Sequence, residues 1–292
     1  MTQMKGRFVK LAIGTLVLAL FMIQCGCQVV ISSATNRLFK DLEASILNSD
    51  DPELIEAGIP SFLILLDGML QQNPRDVSLL LVAAQLKSSY ATAFVKDEDR
   101  QKRYTTKARE HALTAACLDK ANLCDLDTKP FSEVESVIAS LRESDLPLLF
   151  ALTGAWSSWI LVHSDDLRAV AQLSKVQAIV ERMLELDETY EFGTPHMYMG
   201  VFMSLVPPAL GGDSEQSRYH FERAISLSEG KNLYAKVLFA ERFARSTLDR
   251  ELHDRLLDEV ISADPTVEGL TLQNRLAQQR ARELKDSADD FF

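Results

Sequence analysis

Apolar residues recur in this chain at three- and four-residue intervals, in paired segments that end at a proline or an acidic stop. That period places them on one stripe of a helix, and the alternation of a half-buried strand is almost absent, so the chain reads as all-α. The frame is clearest from Val237 to Pro265. Val237, Ala240, Glu241 and Ala244 space one helix, His253, Leu257 and Val260 space a second, and Asp264-Pro265 stops it.

These offsets match the tetratricopeptide pattern of about 34 residues, in which small and large apolar side chains alternate so that paired helices interlock. Only Glu241, at the glycine-like position, departs from it. The same frame falls on Phe150, Thr153, Gly154 and Ser157 with Val176, Val180 and Met183, closed by Leu184-Glu185-Leu186-Asp187. It falls again on His196, Met199, Gly200 and Met203 with Ser217, Phe221 and Ala224, and on Leu80, Ala83, Ala84 and Lys87 with Ala108, Ala112 and Ala115. A half-unit of Phe62, Leu66 and Met69 ends at Asn73-Pro74. Stacked pairs of this kind make a helical-repeat solenoid whose concave face binds extended or helical partners. Residues 51–292 are therefore expected to form one α-helical domain of about four degenerate tetratricopeptide-like pairs. Capping helices are expected before Asp51-Pro52 and from Leu270 to Lys285.

The first residues have a different layout. Lys5, Arg7 and Lys10 precede an uncharged apolar run, Leu11 to Ile23, that ends at Gln24-Cys25-Gly26-Cys27. A basic end, a short apolar stretch and a small-residue cleavage region make a secretory signal, and the run falls short of the roughly 20 residues a membrane helix needs. A cysteine at the cleavage region points to a lipoprotein signal, removed over residues 1–26 and acylated at Cys27, with Gly26 as the small residue before the cut. Cys25 is the rival, preceded by Gln24. Residues 27–50 would then be the lipidated segment and first helix. Two or more acyl chains anchor a protein stably, at about 0.8 kcal/mol per buried methylene. Loss of the signal takes the 31 basic residues to 28 against 42 acidic ones, and the net charge from -11 to -14. Such a surface repels nucleic-acid phosphates and anionic lipid, so neither is a main partner.

Two cysteines remain, Cys117 and Cys124. Within one continuous helix they would stand about 10 Å apart, beyond the roughly 7 Å that a disulfide bridges, so two free thiols are expected unless the helix ends between them. No constellation for catalysis is found: no phosphate loop, no HExxH, no GxSxG, and no paired Cys or His ligands. His163 beside Asp165 and Asp166 is the one local polar cluster, and it reads as a hydrated loop. The chain is expected to be a binding protein without cofactor, metal or catalytic residue.

Two stretches are candidates for contact with a partner or ligand. In Val206 to Asp213, Pro207 and Pro208 stiffen the loop, Gly211 and Gly212 permit left-handed backbone, and Asp213 is placed to cap the next helix. It is either a rigid connector or a docking or ligand-lining loop. The helix before it carries Met197, Met199 and Met203 with Tyr198 and Phe202. Methionines adapt to varied apolar shapes, so Tyr198, Met199, Phe202 and Met203 either line a hydrophobic passage or form core.

Three blocks in order carry a family resemblance: Asp50-Asp51-Pro52-Glu53-Leu54; Pro207-Pro208-Ala209-Leu210-Gly211-Gly212-Asp213 followed by His220-Phe221-Glu222-Arg223-Ala224; and Asn274 through Arg282. In these the chain resembles the T component of tripartite ATP-independent periplasmic (TRAP) transporters, the tetratricopeptide-containing lipoproteins. The resemblance implies a membrane-anchored protein facing the bacterial periplasm, associated with the substrate-binding P component beside an ion-driven permease. It also implies self-association, a trimer above other states, and a hydrophobic passage for a nonpolar or organic-acid ligand. The alternative is a tetratricopeptide scaffold that organises cell-envelope assembly and takes no ligand.

Overall fold

The computed structural model describes residues 40–205 and 213–292, which are predominantly helical and contain no strand. The expected signal, Cys25 and Cys27 lie outside the described residues, as do Pro207, Pro208, Gly211 and Gly212. The chain divides into a unit ending at Asn48, with a helical segment at 40–47, and a unit from Ser49 to Phe292.

The second unit runs α1 (Pro52–Gln72), α2 (Val77–Ala93), α3 (Glu98–Asp119), α4 (Phe131–Ala139), α5 (Leu146–Val162), α6 (Leu173–Leu186), α7 (Tyr190–Ser204) and α8 (Ser214–Leu227). It continues with α9 (Leu233–Leu238), prolonged by a π-helical segment Phe239–Ala244, then α10 (Arg250–Ser262) and α11 (Thr271–Asp286). Aspartates start the helices. Asp51, Asp76, Asp97, Asp213 and Asp249 each accept a hydrogen bond at 2.7–3.1 Å from the backbone amide three residues on. A carboxylate there satisfies an orphan amide and meets the positive end of the helix dipole, so part of the acidic excess has structural work.

Helices α2 and α3 pack together, as do α5 with α6, α7 with α8, and the α9 segment with α10, and each pair also meets its neighbour. The residues in the repeat frame are core: Leu80, Ala83, Ala84, Ala108, Ala112, Val176, Val180, Phe221, Val237, Ala240, Leu257 and Val260 are all buried. Small residues set the closeness of the crossings. A Cβ added to Gly200 would stand 3.0 Å from ring atoms of Phe221, and the Ser217 hydroxyl donates to the Gly200 carbonyl at 2.9 Å. Lys87, 1% exposed, is held by Asp67 of α1 at 2.5 Å. The stretch Glu143–Val162 is long and apolar enough to cross a membrane by length and composition, but most of it is buried in the helical unit, with Leu149, Leu152 and Trp156 fully enclosed.

Three features depart from the sequence expectation. Cys117 and Cys124 form a disulfide with their Cα atoms 4.2 Å apart, in place of two free thiols. The reason is the condition noted above: α3 stops at Asp119, Lys120 is extended, and the single turn Ala121–Leu123 brings the chain back. An additional helix, α4, stands between the first and second pairs, with Val134 and Ile138 buried and Val137 partly buried against the core. The helix before α10 is not regular, because its π segment carries Glu241, whose carboxylate reaches Arg280 of α11 at 2.5 Å. The terminal cap is present as α11, one residue displaced from the expected span, and it packs on α9 and α10 and also touches α1.

Candidate functional site

The residues singled out along the sequence converge on α7 and α8. Helix α7 enters through a left-handed turn, with φ of 46°, 59° and 74° at Glu191, Phe192 and Gly193. L-residues resist that region, at about 1–2 kcal/mol each, so a turn of this kind is held by its surroundings. Gly193 meets the need directly, since a Cβ there would stand 3.0 Å from that of Leu227.

Within α7 the candidate lining residues divide. Met199 is 2% exposed, and Met197 packs with Phe221, so these two sulfurs fill the core between helix pairs. Tyr198, Phe202 and Met203 are half-buried. The Tyr198 and Phe202 rings lie 6.3 Å apart, and the Tyr198 hydroxyl stands over Gly154 of α5, where an added Cβ would be 3.3 Å away. Burial pushes the Tyr198 phenol up to about 12, with a smaller contribution from Tyr234 of α9, whose own pKa is raised by burial and by Glu241. Tyr198 is thus half-buried between α5 and α9. Asp213 caps α8, accepting from the Gln216 amide at 3.0 Å.

A polar cluster ties the two helices at their other end. Nδ1 of His196 lies 2.9 Å from Nδ1 of His220, and Nε2 of His196 lies 3.0 Å from Glu188. Arg223 of α8 holds the same carboxylate through both Nε and Nη2. Glu188 obliges His196 Nε2 to carry its hydrogen, so Nδ1 of His196 is left to accept from His220. Burial, then the neighbouring His196, bring the His220 pKa down to about 4, and Arg223 and His196 bring Glu188 down to about 2. Both groups are depressed, so both favour the fold at neutral pH. The His220 contribution is complete above its ordinary 6.5 and disappears as pH falls towards about 4; the Glu188 contribution goes between 4.5 and about 2. Thermal unfolding followed between about pH 7 and pH 4.5 should show a loss on the order of 2 kcal/mol from His220. A His220→Gln variant should lose less over that range.

The third feature was not foreseen in the sequence. A groove of about 760 Å³ lies along α8, lined by Ser214, Glu215, Arg218, Tyr219 and Glu222, and by Phe243, Thr247 and Asp249 from the segment leading into α10. The Arg218 guanidinium lies over the Phe243 ring, 4.9 Å from its centroid, and reaches Glu222 and Asp249 at 3.5 and 3.7 Å. Between Thr247 and Asp249, Leu248 is 70% exposed and held at φ 57°. No periodicity signals a surface assembled from two separated segments.

Chemically these surfaces are suited to holding and enclosing. No cluster of three or more His, Cys, Asp or Glu side chains suited to a metal occurs among the described residues. His163, the polar loop candidate, bonds its own helix, with Nδ1 2.8 Å from the Trp159 carbonyl.

The profile of the TRAP transporter T-component family matches residues 48–292. An uncharacterized protein of Treponema pallidum (strain Nichols) is 24% identical over 279 residues, covering 86% of this chain and 84% of that protein.

Proposed function

The chain belongs to the TRAP transporter T-component family, a family of transport accessories that act in association with the other transporter components, and from that premise we propose that it holds the solute-binding P component at the membrane. The family match over residues 48–292 carries this reading. In it the chain is a lipoprotein, acylated at Cys27 or its rival Cys25 and facing the periplasm, and it self-associates, with a trimer favoured. The Cys117–Cys124 disulfide supports that placement, since disulfides persist in oxidising compartments.

The helix pairs act as a tetratricopeptide-like solenoid, and Tyr198, Phe202 and Met203 line a passage for a hydrophobic or organic-acid solute. Met199 supports that lining from the core. The loop residues Pro207, Pro208, Gly211, Gly212 and Asp213 are the contact with the partner in this reading. A second reading, an envelope scaffold that takes no ligand, draws on the burial of Met199, which makes that part of the Met-rich helix core.

A pull-down from detergent extract, with the full chain as bait, separates the two. Recovery of the neighbouring solute-binding protein in near-equal amount is the expected result. Recovery of envelope-assembly proteins alone would replace the accessory reading with the scaffold.

A further inference from the structure

We infer that the groove along α8 is a docking site for a protein segment in which an apolar side chain is flanked by lysines or arginines. This rests on the reading above, that the chain works by holding another protein, and adds which surface does so and what chemistry it takes. Three observations carry it. The lining carries aromatic surface, Tyr219 half-exposed and Phe243 nearly buried beneath the Arg218 guanidinium. Glu215, Glu222 and Asp249 surround it, against the single cation Arg218, so the groove has a net negative charge that favours a basic partner and speeds its approach.

Leu248 is the third observation. A leucine at φ 57° is strained, and at 70% exposure it recovers almost none of that strain by packing. Glycine would take the same backbone without strain. The fold gains nothing from leucine at this position, whereas a partner seated in the groove would meet a large apolar side chain between Thr247 and Asp249. Leu248 stands between two residues that line the groove, so an exposed apolar side chain in a strained conformation is offered beside it.

The test uses the purified full chain in detergent and a solute-binding P component from the same organism, with affinity measured by titration calorimetry at low and at physiological salt. Leu248→Gly should leave thermal stability equal to or above that of the parent and weaken binding about tenfold. Reversal of the rim, Glu215→Lys with Glu222→Lys, should weaken it at least as much and flatten its salt dependence. Parent-like affinity in both variants, at either salt, would overturn the groove while leaving the accessory reading in place. No binding by the parent chain would remove both. Sedimentation showing that the same changes dissociate copies of the chain, with P-component binding intact, would make the groove a self-contact and overturn the proposal.

Discussion

Trp156→Ala is expected to lower the unfolding free energy by about 4 kcal/mol, among the largest losses open to a single change in this chain. The indole is fully buried at the centre of the larger core cluster, among α3, α5 and α6. Its Nε1 donates to Gln172 Oε1 at 2.9 Å, and the same oxygen accepts from Arg109 at 2.9 Å. Arg109 stacks on Trp159 at 4.3 Å and pairs with Asp127 at 3.0 Å. Alanine therefore opens a cavity and also loosens a half-buried cation that the ring helps to position. Urea unfolding should show a lower midpoint with an unchanged slope. Trp156→Phe, which keeps most of the volume and forfeits the hydrogen bond, should lose only about 1–2 kcal/mol. Equal losses for the two variants would mean that the polar contact, not the packing, is what Trp156 supplies.

Asn274→Ala is the second. The side chain is completely buried and satisfies three backbone groups from two separate segments. It accepts from the Leu233 amide at 3.0 Å and donates to the Lys231 and Pro265 carbonyls at 3.0 and 3.2 Å. Gln278, one turn on, donates to the Val260 and Ala263 carbonyls and so finishes α10. Alanine at 274 takes this partner from the buried Leu233 amide and Pro265 carbonyl and from the part-buried Lys231 carbonyl, a loss of about 3 kcal/mol. Asn274→Asp keeps an acceptor for the Leu233 amide but should not rescue the two carbonyls, because a carboxylate offers them no hydrogen. Hydrogen exchange is the direct measurement, with protection at the Leu233 amide falling in the alanine variant and better retained in the aspartate one.

Much of the architecture was legible because burial leaves a period in the sequence. Ala108, Ala112 and Ala115, spaced for a helix face, are fully buried, and the segment expected from Leu270 to Lys285 is α11 within a residue at each end. The misses have a common physical cause: a stripe of apolar residues says which face is buried and not where a helix yields. Cys117 and Cys124 were judged on a continuous helix, and the chain turned at Lys120. Glu241 looked like a misfit at a position meant for glycine. In the π segment the register shifts, and it becomes one half of a pair with Arg280. Helix α4, nine residues long, offers Val134, Val137 and Ile138 to the core, too short a run to declare a period. The α8 groove was illegible for another reason, since Arg218 and Phe243 are distant in sequence and neither belongs to a motif. His196 and His220 were visible only as scattered histidines until folding placed their nitrogens 2.9 Å apart.

The contact between α11 and α1 bears on how the molecule is made. Repeat proteins in general stabilise themselves neighbour by neighbour, so a growing chain can fold from whichever unit emerges first. Here the first helix of the unit waits for the last. A chain emerging amino end first cannot complete the surroundings of α1 until its last twenty or so residues, from Thr271 on, are available, and contacts of such long sequence separation form slowly. A helix near the carboxyl end thereby decides when the first helix of the unit is finished.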